Sequence, residues 1–400
     1  MLLPHLYYRI KPLVPWSARM AVRRFFAVRK RKRVRDVWPI MPGSERPPED
    51  WPGWPEGKQF ALVLTHDVEG QAGLDNCRQL MELEMKLGFR SSFNFIPEGE
   101  YMPPRQLMQE LTANGFEVGV HDLYHDGKLF LSRSEFTRNA PKINQYLKDW
   151  GSVGFRAGFM LHNLDWLHEL NIQYDCSTFD VDPFEPKPRG QHTIFPFWVG
   201  RHGESRKQKA GEQSRKQKAE SRNGDEQSEK EKATTGNGMA SGLRPPTSGL
   251  RPLTSEPPAS VIHHPSSAAS DFRFQISESQ LLHQNGYVEL PYTLPQDSTL
   301  FLLHRERHPD LWFQKLDWIA KHGGMALVDV HPDYVDFKRN VATAKGYPSG
   351  LYEDFLRYAA EKYRNLYWRA LPCKTAAFWV NTVLHRSVSS ASRNLVLTGC

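Results

Sequence analysis

The sequence has few cysteines and no long apolar run. Its 400 residues include four cysteines, Cys77, Cys176, Cys373 and Cys400, and no two of them have the C-x-x-C spacing. This argues against a disulfide framework or a thiolate zinc site and favours a reducing compartment. No stretch approaches the ~18 consecutive apolar residues that a membrane-spanning helix needs. We therefore expect a cytoplasmic protein.

Positive charge is concentrated near the N terminus. The formal net charge is +7, and residues 29–35 alone carry six basic side chains. We expect residues 1–55 to form a basic arm followed by a linker rich in Pro, Gly and Trp. Two interpretations of the arm stay open: residues 1–35 contact an anionic membrane peripherally, or they pack against their own domain. Because the excess charge is confined to this arm, no nucleic-acid partner is expected.

A low-complexity stretch interrupts the chain. The hexapeptide at 205–210 recurs at 214–219, and the pentapeptide at 241–245 recurs at 248–252. Such polar, repetitive sequence cannot bury enough apolar surface to offset its ordering entropy. We predict a disordered insertion over 201–270 that divides one folded domain into the parts 56–200 and 271–386, with a loose tail at 387–400.

Outside the insertion, apolar strands alternate with amphipathic helices, which predicts a parallel sheet or barrel. Strand-like runs occur at 60–64, 92–96, 116–120, 154–157, 172–174, 288–290, 300–303 and 325–330. Ser132 and Glu135 form a capping box for a helix that runs toward Trp150. Pro141 is expected to break or kink this helix.

Several polar residues follow these strands, at the edge where parallel sheets gather functional groups. They are Asp67 and Glu69, His121 and His125, Arg156, and His331. Asp67 and Glu69 are two residues apart and share a face of an extended strand, whereas His66 points to the other side. His121 and His125 could converge on one metal ion from a helical turn.

Four motifs resemble those of the polysaccharide deacetylase family, also called the NodB homology domain or carbohydrate esterase family four. They are Thr-His-Asp-Val-Glu at 65–69, His-Asp-Leu-Tyr-His at 121–125, Gly-Phe-Arg-Ala-Gly at 154–158, and Leu-Val-Asp-Val-His-Pro at 327–332. The first has His66 in place of Phe and Val68 in place of a second Asp, and the third lacks the usual Pro and Tyr. The resemblance implies a distorted (β/α) barrel of about seven parallel strands.

The resemblance also implies roles. Asp67 would be the catalytic base with Arg156 beside it, and His331 would be the catalytic acid. Glu69, His121 and His125 would hold a divalent metal, zinc first, with cobalt, manganese or iron as alternatives. Asp175 is the candidate acid that tunes His331, with Asp180 as its rival. The expected reaction is removal of N-acetyl groups from an amino sugar in a polysaccharide or glycan precursor.

Two other classes of function stay open. Two histidines and one carboxylate also serve non-haem iron(II) oxygenases, although these usually have antiparallel sheets. The altered motifs would also suit a barrel that binds glycan without cleaving it. Aromatic side chains that could line a sugar groove are Tyr124, Phe159, Trp166, Phe197, Trp198, Tyr292 and Tyr334.

Overall fold

A computed structural model describes residues 16–49, 51–201, 286–339 and 341–384. The predicted insertion, apart from residue 201, and the predicted tail lie outside these ranges, as do residues 1–15. No helix in the described ranges is both long and apolar enough to cross a membrane.

The strands form one nine-stranded sheet and a separate two-stranded pair. In the large sheet the order is β11-β1-β2-β3-β4-β5-β7-β6, and β8 pairs with β1. All pairings in it are parallel except that between β6 and β7. The strands are β1 (Phe60–Val68), β2 (Ser92–Phe95), β3 (Glu117–His121), β4 (Gly154–Arg156), β5 (Tyr174–Asp175), β6 (Phe197–Gly200), β7 (Gly286–Glu289), β8 (Met325–Asp329), β9 (Val335–Asp336), β10 (Tyr347–Pro348) and β11 (Tyr367–Arg369).

This curled sheet and its flanking helices confirm the distorted (β/α) barrel. The segment after β7 approaches β8, because the amide groups of Thr293 and Leu294 both donate to the carbonyl of Leu327. The helices are α1 (Trp16–Arg33), α2 (Gln71–Lys86), α3 (Arg105–Ala113), α4 (Arg133–Trp150), α5 (Asp310–His322), α6 (Gly350–Lys362) and α7 (Pro372–Trp379).

Strand β1 is the centre of the barrel. It pairs with β8 on one side, and with β11 and then β2 on the other, so all nine of its residues are buried. A strand covered on both faces needs a nearly continuous apolar run, which explains Phe-Ala-Leu-Val-Leu at its start. The polar residues near its far end, Thr65, His66 and Asp67, are therefore held inside the sheet rather than in a loop.

Two expectations about local structure are wrong: a break of α4 at Pro141 and a strand at 300–303. Helix α4 runs unbroken through Pro141, with Ser132 capping its N terminus and Gly151 in the left-handed conformation at its C terminus. Packing of its apolar face, which includes Phe136 and Ile143, outweighs the single hydrogen bond that Pro141 cannot donate. The expected strand at 300–303 belongs instead to a π-helical turn, Ser298–Leu303, in which residues 299–303 are all buried rather than alternately buried and exposed.

The expected linker contributes to the core. Trp51 and Trp54 pack edge to face at 4.8 Å between ring centroids, and both contact Phe378. The indole of Trp54 donates a 2.8 Å hydrogen bond to the carbonyl of Gly323, at the end of α5. These rings lie near the start of β1 and β8, at the opposite end from the polar residues described next.

Candidate metal and catalytic site

The predicted site residues converge at the carboxyl edge of the sheet. His121 and Arg156 are the last residues of β3 and β4, and the strand register makes them direct neighbours. Glu69 immediately follows β1, and His331 lies two residues beyond β8. The parallel arrangement brings these chain-distant residues together because each strand ends on the same side.

Three side chains form a candidate metal site. One ligand-type atom from each of Glu69, His121 and His125 lies within 4.8 Å of the other two. The Nε2 atom of His125 is 3.2 Å from Oε1 of Glu69. Two imidazoles and a carboxylate that meet at this distance match the donor set of a catalytic zinc-like ion.

The orientation of His121 fits a metal ligand. Its Nδ1 atom lies 3.2 Å from the main-chain oxygen of Arg156, so this nitrogen carries the proton and donates it. Its Nε2 lone pair then faces the site, where this buried atom has no hydrogen-bond partner among the described residues. A carbonyl that fixes the tautomer of a histidine in this way is typical of metal centres.

A turn, not a helix, brings the two histidines together. Asp122 and His125 both have positive φ angles, 56° and 54°. The amide of Asp122 donates to the Arg156 carbonyl at 2.8 Å, and its side chain accepts from the amide of Leu123 at 2.6 Å. The imidazole centroids end 4.9 Å apart. The expected helical turn is therefore wrong, although its consequence, convergence of the two rings, holds.

Asp67 is buried beside a cation. Its Oδ1 atom lies 3.5 Å from Nε of Arg156 and accepts a 2.9 Å hydrogen bond from Asn94, its neighbour on β2. Burial alone would raise the pKa of Asp67, but the guanidinium of Arg156 and the nearby imidazoles hold it below its usual range. Asp67 is thus an ionised carboxylate next to the candidate metal ligands.

Arg156 also faces a second carboxylate. Its Nη1 atom lies 2.9 Å from Oδ2 of Asp329, and its Nη2 donates to the hydroxyl of Thr65 at 2.9 Å. Burial raises the pKa of Asp329 to about 7. Ligand-type atoms of Asp67, Asp329 and His331 also lie close enough together to hold a metal ion. Here the guanidinium of Arg156 already provides the positive charge that faces both carboxylates.

His331 contacts Asp297. Its Nδ1 atom is 2.7 Å from Oδ1 of Asp297, and its amide donates to Oδ2 at 2.9 Å. The hydroxyl of Tyr347 donates to the same carboxylate at 2.9 Å. Burial alone would lower the pKa of His331, but the charges of Asp297 and Asp329 raise it well above its usual range. The imidazole is therefore held as a proton donor.

The assignment of Asp175 beside His331 needs correction, because Asp297 occupies that position. Asp175 lies next to Glu289 in the register of β5 and β7, and accepts hydrogen bonds from the amide and hydroxyl of Ser177. Burial raises the pKa of both carboxyls. The rival, Asp180, forms an ion pair with the buried Lys315.

His66 is structural, as its side of the strand predicts. Its Nε2 lies 2.8 Å from the carboxylate of Glu84, and its Nδ1 lies 2.9 Å from the carbonyl of Val330. The same carboxylate accepts hydrogen bonds from the hydroxyls of Tyr352 and Ser91, both at 2.6 Å. This buried network links β1 to α2 and α6 behind the site.

A cavity of about 270 Å³ opens above these residues. Asp67, Glu69, His121 and His331 line it. Two of the aromatic residues considered for a sugar groove also line it. Phe159 stacks on His125 with centroids 4.3 Å apart, and Tyr334 donates a 2.8 Å hydrogen bond to Glu69.

Comparison with known proteins gives similarity in structure only. No protein-family model and no curated protein matches the sequence. A Mycobacterium smegmatis structure, provisionally named a polysaccharide deacetylase, is similar over 81% of this chain and 91% of its own, at 13% identity and a TM-score of 0.46.

Two further structures match over a shorter region. A family 4 carbohydrate esterase from Streptomyces lividans matches 31% of this chain at 16% identity and a TM-score of 0.26. The peptidoglycan deacetylase PdaC from Bacillus subtilis matches 32% at 18% identity and the same TM-score of 0.26. The chain spans 65% and 62% of their lengths. At these identities the likeness concerns the fold, and residue roles follow from the contacts within this chain.

Sequence reasoning missed Asp297 and Asp329. Asp329 is the last residue of β8, two positions before His331, and its place at a strand end was a usable signal. Asp297 follows β7 by eight residues and precedes the π-helical turn, so no strand end marks it. Only the three-dimensional path of that loop brings it to His331.

Proposed function

We propose that this protein is a metal-dependent hydrolase that removes N-acetyl groups from an amino sugar in a polysaccharide or glycan precursor. The observation that supports this most is that Asp67 and His331 line one cavity with Glu69 and His121. Nε2 of His331 lies 3.8 Å from Oε1 of Glu69, and His125 completes the candidate metal site. An amide hydrolase needs a base for water, an acid for the leaving amine, and an electrophile for the carbonyl.

Glu69, His121 and His125 would hold the divalent metal, most simply zinc. When bound, such an ion polarises the acetyl carbonyl and lowers the pKa of water. Asp67 takes one proton from the attacking water, whose oxygen bonds to the acetyl carbon. Arg156 keeps Asp67 ionised and fixed for this transfer, because its guanidinium lies 3.5 Å from the carboxylate.

His331 completes the reaction at the leaving group. As the carbon–nitrogen bond breaks, its imidazolium gives a proton to the departing amine, and the products are acetate and the free amino sugar. Asp297 orients the ring and holds its positive charge through the 2.7 Å contact at Nδ1. A positioned general base or general acid typically contributes about 10²–10⁴-fold.

The cavity rim suits a sugar. Phe159 is 45% exposed at the cavity and has a positive φ angle of 54°, a strained conformation for a phenylalanine. Such strain is characteristic of residues placed for function. The exposed part of this ring offers an apolar surface for the hydrophobic face of a pyranose.

Acetate release from N-acetylhexosamine oligomers by the metal-loaded full chain tests the proposal. Asp67→Asn should retain the metal and lose at least about 100-fold in turnover. Asp126→Asn, in an exposed loop pair with Lys128, is the matched control and should remain active. If the Asp67→Asn variant keeps full turnover, Asp67 is not the general base.

Two outcomes would point to other functions. Metal binding without acetate release across a broad glycan panel would favour a glycan-binding barrel. A requirement for dioxygen would favour an iron oxygenase with the same ligands.

A further inference from the structure

Helix α1 has an inner face that packs on the barrel. Met20 and Ala27 are buried, and Arg24 donates hydrogen bonds of 3.1 and 3.0 Å to the carbonyl of Leu302. Arg31 forms an ion pair with Glu306. The residues 20, 24, 27 and 31 recur every three or four positions, so they share one stripe of the helix.

The opposite face of α1 is both apolar and basic. Val22, Phe25 and Phe26 are 57%, 52% and 62% exposed. Arg29 lies over the ring of Phe25 at 3.8 Å. At about 100° per residue these side chains point directly away from the inner face, and Lys32 and Arg33 continue the same surface. We name Val22, Phe25, Phe26, Arg29, Lys32 and Arg33 the outer patch.

We propose that the outer patch docks this protein on an anionic lipid bilayer. Residues 16–33 contain eight basic and no acidic side chains, so the surface complements anionic headgroups. Exposed phenylalanines flanked by Arg and Lys are what an interfacial helix inserts at the boundary between headgroups and acyl chains. The inner face remains attached to the barrel, so α1 can bind the bilayer without leaving the domain.

Docking would place the catalytic cavity at the lipid surface. Met20 and Arg23 of α1 line the cavity together with Glu69 and His331. A helix with its side chains is about 10–12 Å across, so the cavity wall would lie about that far from the headgroups. This consequence rests on the proposed deacetylase function, and it favours a glycan attached to a lipid as the substrate. Binding to the bilayer itself does not depend on that function.

Vesicle co-sedimentation of the full chain tests the proposal. Vesicles of phosphatidylcholine with about one third phosphatidylglycerol should bind the protein, and vesicles of phosphatidylcholine alone should bind it at least tenfold more weakly. High salt should weaken binding to the anionic vesicles, since exposed charges are screened. Equal binding to both vesicles, or no binding to either, would overturn the proposal.

Variants separate the two components of the patch. Arg29→Gln and Lys32→Gln should each weaken anionic binding about fivefold, which corresponds to about 1 kcal/mol per basic side chain at the surface. Phe25→Ser with Phe26→Ser should weaken it at least tenfold. The control is Met102→Ser with Leu131→Ser, two side chains outside the patch that are 84% and 73% exposed. The control should bind as the native protein does.

Two further measurements keep the alternatives distinct. The Phe25→Ser, Phe26→Ser variant should retain acetate release from a soluble oligomer, so loss of docking and failure of the deacetylase assignment give different results. Light scattering without vesicles should show the same mass for this variant and the native chain. If the native chain is a dimer and the variant a monomer, a second copy covers the patch and the bilayer proposal fails.

Discussion

Replacement of Asp297 by asparagine tests the proton donor most directly. The buried carboxylate accepts four hydrogen bonds: from the imidazole and amide of His331, from Tyr347, and from the amide of Ser298. Asparagine has nearly the same shape but only one accepting oxygen and no charge. The substitution therefore removes the negative charge that stabilises the imidazolium, while the remaining oxygen can still accept the hydrogen bond from the ring.

The size of the expected shift in the pH profile follows from the hydrogen bond between Asp297 and His331. A hydrogen bond to a charged group contributes about 1.5–3 kcal/mol, and 1.36 kcal/mol corresponds to one pH unit. The native pKa of His331 is raised, so the proton donor is present at low pH and lost as pH rises through that pKa. Asp297→Asn should move this alkaline limit of kcat about one to two pH units lower. At pH values above this lowered limit, turnover of the variant should be about ten- to a hundredfold below that of the native protein.

The assay is the pH profile of acetate release, with metal content and circular dichroism measured on the same samples. Tyr347→Phe is the matched control, because it removes one 2.9 Å hydrogen bond to Asp297 and keeps the charge. The negative charge of Asp297 stays beside the imidazole in this variant, so the alkaline limit of kcat should remain close to that of the native protein. A folded, metal-loaded Asp297→Asn protein with a native pH profile would refute the reasoning.

The remaining predictions concern stability, metal affinity and substrate binding. Glu84→Ala leaves three buried donors without an acceptor and should lower the free energy of unfolding in urea by about 3–5 kcal/mol. Glu353→Ala, which removes a surface ion pair with Arg357, should lower it by about 0.5 kcal/mol. Similar losses for both would contradict the buried network. Glu69→Gln should weaken metal affinity at least about 100-fold in chelator competition, and Asp67→Asn much less; equal weakening would exchange their roles. Phe159→Ala should raise KM about three- to tenfold with little change in kcat, and an unchanged KM would remove it from substrate contact.

The positions of several strands, and the gathering of the candidate site residues at one edge, could be predicted because both depend on residues that are neighbours in the sequence. The apolar run of β1 and the residues that follow it lie next to each other in the sequence, so a strand reading places Glu69 at its end. His121 likewise ends β3. Parallel strands share one functional edge, and this rule alone predicts that the two meet.

Helix α1 shows where local reasoning stops. Its basic and apolar residues fit both interpretations of the arm, membrane contact and packing on the domain. The structure assigns residues 20, 24, 27 and 31 to packing and leaves the outer patch exposed. The inner residues and the outer patch both recur with the helical period, so the sequence pattern does not distinguish them. Only contact with the barrel surface decides which of the two is covered.

The sequence by itself predicted parallel strands alternating with helices, and the gathering of the candidate site residues at one edge of the sheet, since each of them follows a strand. The barrel and the pairing of Asp67 with Arg156 were implied by the resemblance of the motifs to a known family. Only the tertiary structure decided that Asp297 rather than Asp175 contacts His331. Asp175 is the last residue of β5, whereas Asp297 lies eight residues beyond the end of β7. Which of the two acids contacts His331 depends on how the loop after β7 folds back toward β8. Asp297 and His331 are 34 positions apart, so no local sequence pattern predicts their contact.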